Sequence, residues 1–263
     1  MNADINNWLQ LIFRWAHVVA GIIWIGHLYF FNWVNGPFQT KLDGPTKKIV
    51  NPELLPRALF WFRWGAAWTW LFGILLGILV YYHGSAIVFE DPTAGYNPWL
   101  WLAIVLVTLA IGFVIYNAIM KALPNKVVAA AINLAIFAGV YLFLEYVGHF
   151  SGRALYLHAG AILGTIMALN VWMVIWPYQK RIITATKAGT APDPADVATA
   201  GLRSRHNTYM SVPLLFTMIS NHYPTVYGML PAWQRDLALA IIIVVGFGVV
   251  RALYGKAPKV PGF

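Results

Sequence analysis

Seven histidines carry most of the chemistry available to this 263-residue chain, because it contains no Cys. Without thiolates there is no disulfide, no Cys-ligated zinc, no iron–sulfur cluster, no thioether-linked haem and no thiol nucleophile. Metal chemistry falls to His, carboxylate and Met. His17 and His27 lie in one apolar run, ten residues apart, or about 15 Å along a helix. That is too far to share a metal ion. The spacing suits ligands at two depths, one for each of two haems, or one haem ligand and a site residue. His158 lies in another apolar run, His206 and His222 bracket a third, and His83 and His149 lie at the ends of two more.

The elements that hold these imidazoles are set by composition. Sixty per cent of the residues are hydrophobic and 10% charged, against about a quarter charged in a soluble domain. A water-soluble enzyme cannot hide that much apolar surface, and a disordered chain needs the opposite balance. The expected fold is all-α, a polytopic transmembrane helix bundle making one domain over residues 1–263. About seven spans are read at 11–34, 57–82, 98–121, 127–148, 154–176, 206–222 and 234–254, most of them near the 20 residues that a crossing needs. The sixth is short and carries Pro213. The stretch 177–205 reads as an interfacial segment and flexible linker on the cytoplasmic side.

Charge sets the orientation. Lys41, Lys47, Lys48, Lys121, Lys126, Lys180, Arg181, Lys187, Arg203, Arg205, Arg251, Lys256 and Lys259 fall on one set of loops and ends; only Arg153 and Arg235 fall on the other. The positive-inside rule then puts the N-terminus outside and the C-terminus in the cytoplasm. It also assigns the +9 net charge to topology and anionic lipid headgroups, not to nucleic acid.

Polar groups within spans are costly and therefore informative. A membrane b-type haem needs neutral imidazoles from facing helices, small residues against the ring, aromatics around it and cations for its propionates. Gly21, Gly26, Gly160 and Gly164 supply the first kind of space, Trp15, Trp24, Trp61, Trp64, Trp68 and Trp70 the aromatics, and Arg14, Arg57, Arg63 and Arg153 the cations. Each has a plainer reading. His83 and His149 serve as interfacial polar tips, the Trp residues as packing and belts, and the glycines as close helix contacts. Glu145, the one carboxylate deep in a span, is expected to pair with Arg153 or to relay protons.

The segment Arg205-His-Asn-Thr-Tyr-Met-Ser-Val-Pro-Leu-Leu-Phe-Thr-Met-Ile-Ser-Asn-His-Tyr-Pro224 resembles the most distinctive motif of the bacterial membrane-bound urate oxidase (urate hydroxylase) family. Arg14-Trp-Ala-His-Val-Val-Ala-Gly-Ile-Ile-Trp-Ile-Gly-His27, Ala154-Leu-Tyr-Leu-His158 and Trp172-Met-Val-Ile-Trp-Pro177 are similar to the same family. The resemblance covers nearly the whole chain and implies the membrane domain of such an enzyme, which the family joins to a C-terminal cytochrome c domain. The implied activity is oxidation of urate to 5-hydroxyisourate with electrons passed to cytochrome c. The implied location is the bacterial inner (cytoplasmic) membrane.

No Cys-x-x-Cys-His motif occurs in these residues, so a separate cytochrome c or respiratory-complex subunits are the expected electron acceptors. The expected cofactor is haem b, one or two, with His17, His27, His158 and His206 as iron ligands. Depth pairs His17 with His158 and His27 with His206. Arg14 and Arg63 complete the cofactor site, and His222 is either a ligand or, with Arg63, part of the catalytic machinery. Asn207, Tyr209, Asn221 and Tyr223 offer hydrogen bonds and an aromatic face to a purine. The alternative reading is a non-catalytic b-type haem subunit of a larger respiratory assembly.

Overall fold

The computed structural model describes residues 3–83, 87–228 and 230–261. Among these are seven helices: α1 (Ala3–Gln39), α2 (Gly44–Tyr82), α3 (Pro98–Ala122), α4 (Lys126–Tyr146), α5 (Gly152–Lys187), α6 (Pro194–Ile219) and α7 (Ala232–Lys259). No strand is found among the described residues, only an isolated antiparallel bridge between Phe89 and Phe150. Every helix except α6 is long and apolar enough to cross a membrane, and the chain is a multi-pass membrane protein.

Seven helices agree with the expected all-α bundle, and six of them also have the composition of a crossing. The run at 206–222 is the later part of a helix that begins at Pro194. Its 26 residues have the length for a crossing, but Arg203, Arg205, His206, Asn207, Thr208 and Ser211 make it too polar to qualify by composition. The expected linker at 177–205 is also mostly helix. α5 runs on to Lys187, and only residues 188–193 separate it from α6. Arg181 on α5 donates both Nε and Nη2 to the Asp196 carboxylate on α6, at 2.7 and 2.8 Å.

Local chemistry explains the helix ends. Asn97 caps α3 by accepting from the amides of Trp99 and Leu100, and Asn125 caps α4 through Val127 and Val128 in the same way. Lys126 donates Nζ to the carbonyls of Met120 and Leu123, both at 2.7 Å, and so satisfies acceptors left over at the end of α3. Two helices widen into π turns just before a proline. These are Phe30–Asn35 ahead of Pro37 in α1, and Val171–Ile175 ahead of Pro177 in α5. Proline brings no N–H to the ladder, so the carbonyls one turn earlier lose their usual donor and the helix re-registers. A third π turn, Ile78–Tyr82, closes α2.

The chain divides into two compact units. The first comprises Met1–Phe13, Gly73–Ile166 and Pro213–Ile243; the second comprises Arg14–Phe72, Met167–Val212 and Val244–Phe263. The first has Tyr156, Leu155 and Phe150 at its centre. There α5 and α6 meet at Gly160, where a Cβ would collide with Thr217 Oγ1 and lie 2.7 Å from Met218 Cε. The second unit is centred on Leu28, Phe62, Met167 and Ile175. Gly65 of α2 lies so close to α1 that a Cβ would sit 3.0 Å from the Trp24 amide. These glycines serve close helix packing. The second unit also holds every Lys and Arg except Lys121, Lys126, Arg153 and Arg235.

Candidate functional site

In the first unit the polar side chains close on one another. His158 is 5% exposed, and both ring nitrogens are engaged. Nδ1 lies 2.6 Å from the Ala154 carbonyl and Nε2 2.7 Å from the Tyr82 hydroxyl. Donation from Nδ1–H to the carbonyl leaves Nε2 to accept from Tyr82. Phe150, Tyr81 and Tyr82 surround the ring edge-on at 5.0–6.2 Å. As an iron ligand His158 fits only if Tyr82 releases Nε2. Asn221 Oδ1 accepts from the Tyr81 hydroxyl and, at 3.2 Å, from Arg153 Nε. The Arg153 guanidinium also lies 5.6 Å from the Tyr81 ring centre. His222 follows in an exposed 3-10 turn.

Arg153 is not the partner of Glu145. Glu145 pairs with Arg235, which the charge count had placed in an outer loop but which lies buried in α7. Asp236 stands 3.6 Å from Arg235 Nε and accepts from the Tyr141 hydroxyl at 2.9 Å. Tyr156 adds a 2.7 Å hydrogen bond to the Arg235 carbonyl. The reason is geometric: Glu145 and Arg235 are close in the fold although 90 residues apart in sequence.

In the second unit more is left open. His17 Nδ1 is 2.8 Å from the Thr69 carbonyl, and His27 Nδ1 is 2.7 Å from the Ile23 carbonyl. A backbone carbonyl accepts only from N–H, so each ring keeps its lone pair on Nε2, the tautomer that ligates a metal. No hydrogen bond engages either Nε2 among the described residues. His17 and His27 thus fit iron ligands by the chemistry of their donors. His206 lies half-buried on α6, and Arg14 is exposed on α1. Among the described residues no three His, Asp or Glu side chains converge as an ion held by protein alone requires. A porphyrin iron asks only one or two imidazoles.

Arg63 spreads its guanidinium over Trp176 at 3.9 Å, with Trp172 at 5.6 Å and Phe60 at 5.9 Å. Trp172 in turn donates Nε1 to the Arg63 carbonyl at 2.9 Å. This cage stabilises a cation by cation–π attraction. Asn207, expected along a purine edge, is fully buried. It donates Nδ2 to the Met167 carbonyl and accepts from Asn170, which ties α6 to α5. Tyr209 packs on Phe247 and Tyr254.

The second unit also contains a cleft of about 650 Å³. Phe31, Asn32 and Asn35 of the α1 π turn and Ile175 of the α5 π turn line it, together with Phe62, Gln179, Ser204, Arg205 and Tyr254. Asn32 is fully used, donating to the Leu28 carbonyl and to Ser204 and accepting from Tyr254. Neither Arg63 nor His222 lines the cleft.

The family described as urate oxidase N-terminal matches this chain over residues 3–49 and 42–259. The chain belongs to that family. No curated protein and no solved structure matches it. In this urate oxidase N-terminal family member, the sequence motif on α6 divides between the two units. Arg205, His206 and Asn207 fall in the second, and Asn221 and His222 in the first. Asn35 and Gln179 were not singled out from sequence. The signal available for them was a proline two residues on from one and two residues before the other.

Proposed function

We propose that the protein is a haem-containing membrane oxidoreductase of the bacterial inner membrane that oxidises urate to 5-hydroxyisourate and delivers the electrons to a cytochrome c. The family match over nearly the whole chain carries this reading. The overall step is urate plus water giving 5-hydroxyisourate, two protons and two electrons. A bound haem b would supply one-electron acceptance. His17 and His27 would hold iron through Nε2, with Nδ1–H fixed by the carbonyls of Thr69 and Ile23. Such second-shell hydrogen bonds orient an imidazole and raise its basicity. Their separation of about 15 Å along α1 suits one iron each. Arg63 would hold positive charge beside the bundle's tryptophans, and exposed His222 would exchange protons with solvent.

The test is an optical and pyridine-haem spectrum of the purified protein, recorded anaerobically with and without urate. The expected result is a Soret band whose iron is reduced on adding urate, with the band lost or shifted in H17A and H27A. Full urate turnover by a haem-free preparation would remove haem from the reading. Haem that urate cannot reduce would leave a non-catalytic electron-transfer subunit.

A further inference from the structure

Five features of the second-unit cleft point to one class of ligand. The first is size: about 650 Å³ falls within the range of small-molecule sites. Second, Asn35 is 9% exposed and uses Oδ1 to accept from Gln39 at 3.3 Å, while its Nδ2 has no hydrogen-bond partner among the described residues. That Nδ2 is not sealed from solvent, so it is open to an acceptor that enters the cleft. Third, the Gln179 amide, also on the cleft wall, makes no hydrogen bond among the described residues.

Fourth, the charge in the lining is one-sided. Arg205 is present, no Asp or Glu is, and no ion pair engages Arg205 among the described residues. Its guanidinium lies 5.4 Å from the Tyr254 ring centre. Lys41, Lys256 and Lys259 flank the lining residues in sequence and add to a positive field. Fifth, the walls are aromatic: Phe31, Phe62 and Tyr254. Both proline-linked π turns border this cleft, a helix distortion frequent at functional sites.

We infer that this cleft binds the oxopurine substrate, with Arg205 meeting the anion's charge, Asn35 and Gln179 pairing with the oxygen- and nitrogen-bearing purine edges, and the aromatic walls meeting its faces. This rests on the urate reading above and gives it a place in the fold. Arg63, whose charge is spread over Trp176, does not line this cleft, and Arg205 does. Asn32 and Ser204 act as positioning residues, holding one another across α1 and α6.

The experiment measures urate binding by calorimetry to the oxidised, detergent-solubilised full chain without oxygen, beside urate-dependent cytochrome c reduction. R205A should weaken binding and raise KM by about tenfold or more, as loss of a charged hydrogen-bond partner does. R205K should recover part of the loss, and Q179A should cost about three- to tenfold. kcat should fall much less than KM rises. Unchanged melting temperatures in the variants would exclude misfolding, and R205K serves where R205A does not fold. If the wild type turns over urate and R205A, R205K and Q179A keep its affinity and KM within about twofold, the cleft assignment is overturned and the urate reading stands. Urate that binds but is not oxidised, with binding lost in R205A, would sustain the cleft and overturn the enzyme. A wild type that neither binds nor oxidises urate overturns both. Variants that lose reduction by a soluble quinone while urate KM stays constant would make the cleft an acceptor site and overturn the assignment.

Discussion

The two units are built from the same kinds of residue, but His158 of the first and His17 and His27 of the second use their second ring nitrogen in opposite ways. In the first, His158 gives one ring nitrogen to Ala154 and the other to Tyr82, Asn221 is held by Tyr81 and Arg153, and Glu145 pairs with Arg235. In the second, His17 and His27 keep an open Nε2, Asn35 an open Nδ2 and Gln179 an open amide. Buried polar groups that satisfy one another rigidify a fold. Groups held in place but left with a vacant donor or acceptor call for an explanation, such as a ligand, an ion or a water. The residue type alone does not separate architecture from function here, because a histidine in a span belongs to either. The partner on the second nitrogen separates them.

Two substitutions test the closed character of the first unit. Arg235→Ala should have the largest effect, because it strands Glu145 in the interior with no counter-charge. Removing one partner of a buried ion pair destabilises by about 3–5 kcal/mol. Thermal unfolding in a single detergent should show it as a large drop in melting temperature, and a change too small to resolve would mean that the pair is solvated. Tyr82→Phe is milder. It leaves His158 Nε2 without a donor, at about 1–3 kcal/mol for an unsatisfied buried group. If His158 serves architecture, haem content and spectrum should not change. A new or shifted low-spin iron band in Y82F would show that the freed Nε2 reaches a haem, and would move His158 to the open class.

What the sequence revealed divides along the same line. Composition and run length disclosed an all-α membrane bundle, because lipid leaves a backbone few other ways to satisfy its own hydrogen bonds. The polar helix α6 was harder to place. Its motif residues mark it as special, yet Arg203, Arg205 and Asn207 make it read as a short span rather than as a helix starting at Pro194. His17 and His27 were legible as candidates because they are costly in an apolar run. The openness of their Nε2 atoms was not, since it depends on a carbonyl of Thr69, 52 residues away, for one of them. Arg235 was hidden for the same reason. Nothing near it in sequence signals that Glu145 lies against it. Asn35 and Gln179 passed as ordinary polar residues at helix ends, and only the re-registered π turns beside them bring them to one cleft.

The smallest expected effect concerns the short connection at 188–193, which Arg181 and Asp196 bracket in the second unit. The hydrogen bonds from Arg181 hold the Asp196 carboxyl below its ordinary range. The folded connection therefore binds fewer protons than an opened one as the pH falls through the carboxylate range. Its stabilisation is complete above the ordinary carboxylate value of about 3.9 and is lost as the pH falls through the lower folded value. The pair is open to solvent, so its contribution is modest and screened by salt. Amide exchange across 188–193, corrected for the intrinsic rate at each pH, should be slower in the wild type than in D196N at neutral pH. The two should converge at the acid end, where the wild-type carboxyl is also neutral. Equal exchange at neutral pH would mean that the helix ends are held by packing alone. Unlike the buried pair in the first unit, this bridge would then be removable without consequence, and the contrast between an interior built on closed polar contacts and a unit left open would become sharper.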